Sequence, residues 1–357
     1  MAIRGFYKWR SRSPGDGGQR SLLTRRTLLG SVFASFACGE DQESSSFDLS
    51  LLDAPAVPNE LFFVRNHFPP PRASAAAWKL SRTGAVANPF EATLDDLSNA
   101  PRRTLPVTLE CAENPVGGGL VSHAEWTGTP LVSLLERAGP TAQASFVRLS
   151  GADGYTRAIP MAKAMHADTL ITSIMNSERL LTKHGLPLRA VIPGWYGMDS
   201  VKWLREIAVL SEPESAGPDA HRYLRLTRSL LAGARPAGAV SAMNVKSAFS
   251  RPVDGAILEG RRFTIRGAAW AGENRVHQVE VSTDAGKTWL KAVLKQQPLP
   301  YSWALWQLEW KIPGKGEYEL VVRATNDQGT TQPVERPPDR VDSYELNAYQ
   351  RVRVVVV

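Results

Sequence analysis

The stretch VHQVEVSTDAGKTWLKAVL, residues 276–294, decides the fold of the last third of the chain. VHQVEVS and TWLKAVL each have the length and composition of a short β-strand. Between them, Asp284, Ala285 and Gly286 form a turn signal of the kind that joins antiparallel strands. The stretch therefore predicts a β-hairpin.

The sequence around this hairpin has the same texture. FTIRGAAW (263–270) and YELVVRATNDQG (318–329) are further short strands divided by Asp/Gly turns, and no helix is predicted after residue 240. This pattern is typical of an all-β immunoglobulin-like sandwich, which we predict for residues 236–357. The segment 224–245, rich in Ala, Gly and Pro, is the predicted connection to it.

The preceding domain, predicted for residues 59–235, mixes strands with a helix, so the fold class is α+β. LFFVRNH (61–67), LPVTLECA (105–112), LRAVIPGWYG (188–197) and VKWLREIAVL (201–210) each predict a strand or another apolar element. PLVSLLERAG (130–139) places Leu131, Leu134, Leu135 and Ala138 on one helical face, and Gly139 ends the helix.

Length and charge limit the classes of function. The 357 residues suggest two domains, and 43% hydrophobic with 22% charged residues is typical of a soluble globular protein. The net charge of +7 is modest, and no basic stripe with interleaved aromatics follows the leader. Nucleic acid is therefore excluded as the expected partner.

The N-terminus resembles an export leader, predicted for residues 1–38 and followed by a linker at 39–58. Arg25 and Arg26 precede an apolar run too short to span a bilayer, a pattern of twin-arginine export signals. Small residues Ser35 and Ala37 make Cys38 a candidate for lipidation, and so for membrane attachment. We expect an exported, periplasmic protein; the alternative is a disordered basic terminus with a chance apolar run.

Cys111, in TLECAENPVGGG (108–119), is the only cysteine after the leader. It fits a buried core thiol, one half of a Cys-His pair, or a single thiolate ligand to a metal held by a cofactor. The glycines at 117–119 match neither a P-loop nor a dinucleotide fingerprint, so a nucleotide loop is excluded.

Three cationic clusters lie where apolar segments end. They are RNH (65–67), KHGLPLR (183–189) and SVKW (200–203). Together they would suit one large polyanionic ligand. The alternative is ordinary surface charge.

Motifs throughout residues 58–357 carry a family resemblance. In order along the chain they are FFVRNH (62–67), VTLECA with Asn114, GADGY (151–155), KHG with PLR and VIPG (183–194), VKWL (201–204), and the hairpin described above. The chain resembles the sulfite oxidase family of molybdopterin enzymes, whose fold is a molybdopterin-binding domain followed by a dimerisation sandwich.

The resemblance implies a molybdenum–molybdopterin cofactor and assigns the site residues. Cys111 falls on the family's molybdenum ligand, Arg65 on its active-site arginine, Tyr223 on its active-site tyrosine, and Arg351 on a second pocket arginine. The cofactor-binding positions fall on Phe63, Val64, Arg65, Asn66, His67, Asp153, His184, Arg189, Ser200, Val201 and Lys202.

Two positions depart from the family pattern. Glu113 and Val116 stand where sulfite-oxidising relatives have glycine and arginine. An acid is thus added and a cation lost beside the metal ligand, which weakens the case for an anionic substrate. The assignment of molybdenum does not depend on these positions.

The predicted function is oxidation of sulfite to sulfate in an exported homodimer. No haem is expected in this chain, so electrons would pass to a separate c-type cytochrome. The alternative on the same centre is an S-oxide or N-oxide reductase. The alternative from another class is a non-catalytic binding protein built on the immunoglobulin-like domain.

Overall fold

The computed structural model describes residues 44–72, 77–213, 223–229 and 238–357. The predicted leader, with Arg25, Arg26 and Cys38, lies outside these residues, as does the predicted domain boundary at 235/236. Across the described ranges, no helix is long and apolar enough to cross a membrane.

The N-terminal domain contains twelve described strands and three short helices. The strands are β1 Ser44–Ser45, β2 Val64–Arg65, β3 Lys79–Gly84, β4 Phe90–Thr93, β5 Arg103–Glu110, β6 Val121–Pro130, β7 Phe146–Gly151, β8 Thr156–Pro160, β9 Leu170–Met175, β10 Glu178–Arg179, β11 Arg189–Val191 and β12 Leu204–Leu210. The helices are α1 Leu94–Ser98, α2 Leu131–Ala138 and α3 Met161–Ala164.

Ten of these strands form two five-stranded sheets, and β1 and β2 form a separate pair. One has the order β10-β9-β6-β5 with β11 also paired to β9, and the other has the order β4-β3-β12-β7-β8. Strand β12 runs parallel to β3, whereas the other pairs are antiparallel. Cys111 follows the last residue of β5, so the edge of one sheet sets its position.

Helix α2 confirms the sequence prediction. Its four predicted apolar residues are buried, and Gly139 ends it in the left-handed conformation with φ 66°. Glycine adopts that conformation without the Cβ clash that other residues meet, which explains why the helix stops there.

The C-terminal domain is a two-sheet sandwich. Its strands are β13 Lys246–Arg251, β14 Ala256–Leu258, β15 Arg262–Trp270, β16 Val276–Ser282, β17 Leu290–Lys291, β18 Val293–Leu294, β19 Ala304–Lys311, β20 Gly316–Asn326 and β21 Gln350–Val356. The sheet orders are β13-β15-β19-β18 and β14-β21-β20-β16-β17. Antiparallel pairing of β16 with β17 confirms the hairpin, and the regular elements described in this domain are all strands.

Two parts of the chain differ from the sequence prediction. LFFVRNH is a strand only at Val64–Arg65; the preceding residues turn, with Leu61 and Phe62 both donating to Pro58 O. The described part of the predicted linker packs tightly: Phe47 and Val57 are buried, and β1 pairs with β2. Burial of these apolar side chains holds in place a segment that its composition predicts to be a linker.

One hydrophobic core joins the two domains behind Cys111. It contains Leu109 and Cys111 from the first domain together with Ala248, Trp270 and Trp303 from the second. The C-terminal domain therefore forms part of the support on which Cys111 rests.

Candidate functional site

A cleft opens beside Cys111. Its lining consists of Phe62, Phe63, Arg65, Asn66, His67, Leu109, Cys111, Asp153, Tyr155, Arg189, Gly197, Met198, Ser200, Val201, Lys202, Trp203 and Tyr223. Residues far apart in sequence are thus brought to one site, and Cys111 is the thiol among them.

Cys111 lies in the turn between β5 and β6, which backbone hydrogen bonds hold closed. Its N–H donates to Leu120 O at 2.9 Å, and its carbonyl accepts from Asn114 N at 2.9 Å. The side chain is 8% exposed. Burial raises the pKa of the thiol to about 11, so the cofactor-free chain holds it protonated at neutral pH. A metal would have to displace that proton on binding.

A cluster of cations lies at one end of the cleft. Buried Arg189 donates to the carbonyls of His184 (3.0 Å) and Ser200 (3.1 Å), and Lys202 Nζ donates to Asn66 Oδ1 (2.7 Å) and Lys183 O (2.8 Å). Burial, together with the charges of Arg189, Lys202 and Lys183, lowers the pKa of His184 to about 3. Although burial lowers the pKa of Arg189 to about 9, this arginine remains cationic at neutral pH. The cluster is thus suited to an anionic group.

At the edge of the cleft, Arg65 meets an acid from the Cys111 turn. Arg65 Nη2 lies 3.1 Å from Glu113 Oε2, and both side chains are about one-third exposed, 32% and 36%. The charge of Arg65 is therefore partly offset by a carboxylate two residues from the thiol.

Tyr223 lies among aromatic and cationic side chains. Its hydroxyl hydrogen-bonds to His67 Nε2, and His67 stacks on Tyr155 with ring centroids 4.6 Å apart. The Arg157 guanidinium carbon lies 5.2 Å from the centre of the Tyr223 ring, and Arg157 Nε donates to Asp199 Oδ1 at 2.8 Å. Burial raises the pKa of Tyr223 well above 10, so the phenol acts as a neutral hydrogen-bonding group.

Sequence reasoning missed Arg157, Tyr155 and Asp199. Tyr155 belongs to the quoted motif GADGY and Asp199 directly precedes the quoted SVKW, but no role was assigned to either. Arg157 is a single arginine on a strand, which looks like surface charge until β8 brings it against Asp199. The contact with buried Asp199 is what marks Arg157 as part of the site, and that contact forms only in the folded chain.

Most of the predicted site residues line the cleft, and three do not. Val64 and His184 are fully buried behind the lining, where His184 Nε2 lies 2.7 Å from Asn59 O. The prediction that Arg351 is a pocket arginine is wrong. Arg351 is on the exposed face of β21, 44% exposed, and pairs with Glu319 on the neighbouring strand at 2.6 Å.

The residues present fit a molybdopterin. Asn66 Nδ2 is buried in the cleft lining without a hydrogen-bond partner among the described residues, so it offers a donor to a bound group. A soft thiol at the base and a cationic end match the metal and the phosphate of such a cofactor.

Comparison with known proteins agrees with this site. The family described as "Oxidoreductase molybdopterin binding domain" matches residues 67–217, and the "Mo-co oxidoreductase dimerisation domain" matches residues 237–357. Mitochondrial sulfite oxidase of Mus musculus is 33% identical over 336 residues, covering 84% of this chain and 62% of that protein. Sulfite oxidase of Gallus gallus is 32% identical, covering 78% of this chain and 68% of that protein.

A solved structure shares most of this architecture. The crystal structure of the sulfane dehydrogenase SoxCD from Paracoccus pantotrophus superposes with a TM-score of 0.80 at 27% identity, covering 87% of this chain and 84% of that one. The predicted fold class, a molybdopterin-binding domain followed by a β-sandwich, is thereby confirmed. The chain belongs to the sulfite oxidase family of molybdopterin-dependent oxidoreductases.

Proposed function

We propose that the protein is an exported molybdenum–molybdopterin oxidoreductase that oxidises sulfite to sulfate. The observation that carries the proposal is the placement of Cys111, Arg65 and Tyr223 around one cleft with a cationic end. When bound, the cofactor would supply the two-electron redox centre and the oxygen-atom transfer. Water is the oxygen source, and electrons leave to a separate c-type cytochrome.

The chain's own residues hold and orient the reactants. Cys111 would ligate the metal, while Arg189 and Lys202 hold the anionic end of the cofactor. Arg65 offers a planar fork of donors to a sulfite oxygen. The Tyr223 hydroxyl, neutral because it is buried, hydrogen-bonds at the substrate position and is steadied by His67.

The ion pair between Arg65 and Glu113 favours a second candidate function. A partly neutralised arginine suits a substrate with less negative charge than sulfite. An S-oxide or N-oxide reduced on the same centre meets that requirement. A sulfane, the substrate class named for the Paracoccus pantotrophus structure, is also compatible with it.

Location and assembly form part of the proposal. The twin arginines and Cys38 support export to the periplasm and attachment to a membrane through a lipid. The match of residues 237–357 to a dimerisation domain supports a homodimer formed through the C-terminal sandwich.

Metal analysis and a substrate screen test the proposal. Full-length protein made in cells that synthesise the cofactor should contain about one molybdenum per chain. Sulfite should reduce cytochrome c or ferricyanide. Turnover of an S-oxide by a reduced dye, without sulfite activity, would select the second candidate. A chain that binds no molybdenum would instead favour an immunoglobulin-like binding protein.

The two cysteines provide a matched pair of variants. Cys111→Ser should abolish turnover, and without cofactor it should unfold at nearly the same temperature as the cofactor-free wild type, because serine is close in size to cysteine. Cys38→Ser should keep full metal content and activity, and should release the protein from membranes if Cys38 is lipidated. Retained activity in Cys111→Ser would contradict the ligand role.

A further inference from the structure

A lysine from the C-terminal domain is buried beneath the Cys111 turn. Lys246, the first residue of β13, is 2% exposed, and its Nζ lies 2.8 Å from Glu110 Oε1; Glu110 is 1% exposed. Glu110 is the residue immediately before Cys111. The two charges are therefore paired out of water, directly behind the candidate metal ligand.

The same ammonium group binds the backbone of the turn. Lys246 Nζ also donates to Asn114 O at 3.0 Å and to Pro115 O at 3.2 Å. All three protons of the ammonium thus have acceptors on residues 110–115. One cation holds both ends of the turn that carries Cys111.

Other side chains complete the network. Trp270 Nε1 donates to Glu110 Oε2 at 2.8 Å, and Asn114 Nδ2 donates to Glu110 Oε1 at 2.9 Å. Asn114 Oδ1 accepts from Leu120 N at 3.0 Å, across the mouth of the turn. Donors from both domains therefore bind both oxygens of the Glu110 carboxylate.

Such a pair adds little net stability, and its main effect is to fix the positions of the groups around it. Taking two charges out of water costs about as much as their attraction returns, whereas removing one partner leaves an uncompensated buried charge. A pair of this kind fixes its surroundings because each alternative arrangement exposes an unpaired charge. An interface that only stabilised the two domains would not require a buried ion pair.

We propose that Lys246 is a positioning residue for Cys111, through which the C-terminal domain holds the thiol pointing into the cleft. The proposal rests on the proposed role of Cys111 as the molybdenum ligand. It assigns the sandwich domain a part in building the metal site in addition to any part in assembly.

A second ion pair between the two domains provides the control. Lys163, 8% exposed, pairs with Glu273 and donates to Pro193 O at 2.8 Å. Among the described residues, Lys163 makes none of the hydrogen bonds that hold the Cys111 turn. Lys163→Gln therefore removes a charge pair between the same domains, one whose acid is 47% exposed, without touching residues 110–115.

The first measurement needs no cofactor. The full-length chain is purified from cells that cannot make molybdopterin, and alkylation of Cys111 by iodoacetamide is followed on its own peptide by mass spectrometry. In Lys246→Gln the rate should rise at least about tenfold, because the turn opens more often. In Lys163→Gln it should stay within about twofold.

The second measurement uses cofactor-loaded enzyme. The Mo(V) electron paramagnetic resonance spectrum reports the geometry at the sulfur ligand, and it should shift in Lys246→Gln but not in Lys163→Gln. The double variant Glu110→Gln/Lys246→Gln replaces the ion pair by a neutral hydrogen-bonded pair, and should return both readouts toward the wild type. If Lys246→Gln does not fold, Lys246→Arg serves instead, because it keeps the charge and alters only the geometry.

The outcomes separate the two proposals. Equal alkylation rates and unchanged spectra in the Lys246 and Lys163 variants would overturn the positioning role, leaving Lys246 as a contact between domains. A wild-type chain without molybdenum would overturn the proposed function. It would leave the alkylation experiment valid, since that experiment reports the turn alone.

Discussion

Arg65 and Glu113 form an ion pair at the edge of the cleft, with Arg65 Nη2 3.1 Å from Glu113 Oε2. Arg65 comes from β2 and Glu113 from the turn after β5, so the pair joins the two elements that flank the candidate metal ligand. Its consequence is electrostatic. The carboxylate reduces the positive potential that Arg65 offers to an oxyanion.

Removing this carboxylate should improve binding of an anionic substrate. In Glu113→Gln we expect the KM for sulfite to fall about three- to tenfold with little change in kcat, because the side chains are only partly buried. Steady-state kinetics at low ionic strength measure this. Glu91→Gln, which breaks the exposed pair with Lys79, is the control and should change nothing. An unchanged KM in Glu113→Gln would show that Glu113 does not set substrate charge.

The hydroxyl of Tyr223 should matter for turnover more than for cofactor binding. Tyr223→Phe keeps the ring against Arg157 and loses only the hydrogen bond with His67. We expect kcat to fall about tenfold or more, with molybdenum content unchanged. Tyr318→Phe, which loses a hydrogen bond to Gly314 O in the sandwich, should behave as wild type. Parallel losses of metal and activity would instead indicate a structural role.

Replacing Arg157 should lower kcat/KM, whereas replacing Arg351 should leave it unchanged. Arg157 is 11% exposed beside Tyr223, and its loss leaves Asp199 buried without its partner. Arg157→Gln should therefore lower kcat/KM at least about tenfold. Arg351→Gln should leave kcat/KM unchanged and alter stability by less than about 0.5 kcal/mol, because Arg351 lies on an exposed strand face. A large change in kcat/KM for Arg351→Gln would show that Arg351 does contribute to the site.

Acid should destabilise the contact between domains through His123. This residue is buried, stacks on Trp303, and bonds through Nδ1 to Thr108 Oγ1 at 2.9 Å. Burial lowers its pKa to about 3. An unfolded histidine binds a proton below about pH 6.5, whereas the folded chain does not until about pH 3. The free energy of unfolding should therefore fall with pH in that window, by up to about 1.4 kcal/mol per pH unit.

His123→Gln should make the Tm less dependent on pH between 7 and 4.5. Calorimetry or circular dichroism across that range measures it. His277, exposed on β16, provides the control, since His277→Gln should leave the dependence as it is. Identical pH profiles for His123→Gln and the wild type would show that His123 does not carry the acid sensitivity.

Local patterns predicted the elements that local chemistry decides. The helix at Leu131–Ala138 follows from apolar spacing and Gly139, and the hairpin after Ser282 follows from its turn residues. LFFVRNH was extended only at two residues, because its aromatic side chains turn into the shared core. The prediction that Arg351 lies in the pocket was wrong, although the alternating pattern of its strand indicates the opposite face. Val352 and Val354 are buried on β21, so period-two alternation puts Arg351 on the outer face.

The sequence by itself determined the family, the two-domain order and the candidate ligand Cys111, because those depend on contiguous motifs whose spacing the chain preserves. Tertiary structure decided what surrounds that ligand. Lys246 meets Glu110 across 136 positions, and Arg157 meets Asp199 across 42. Such partners are set by which faces of the folded chain are buried against each other, between the two domains for Lys246 and within the first domain for Arg157. No local pattern carries that information, since a lysine or arginine destined for a buried pair looks the same in sequence as one destined for water.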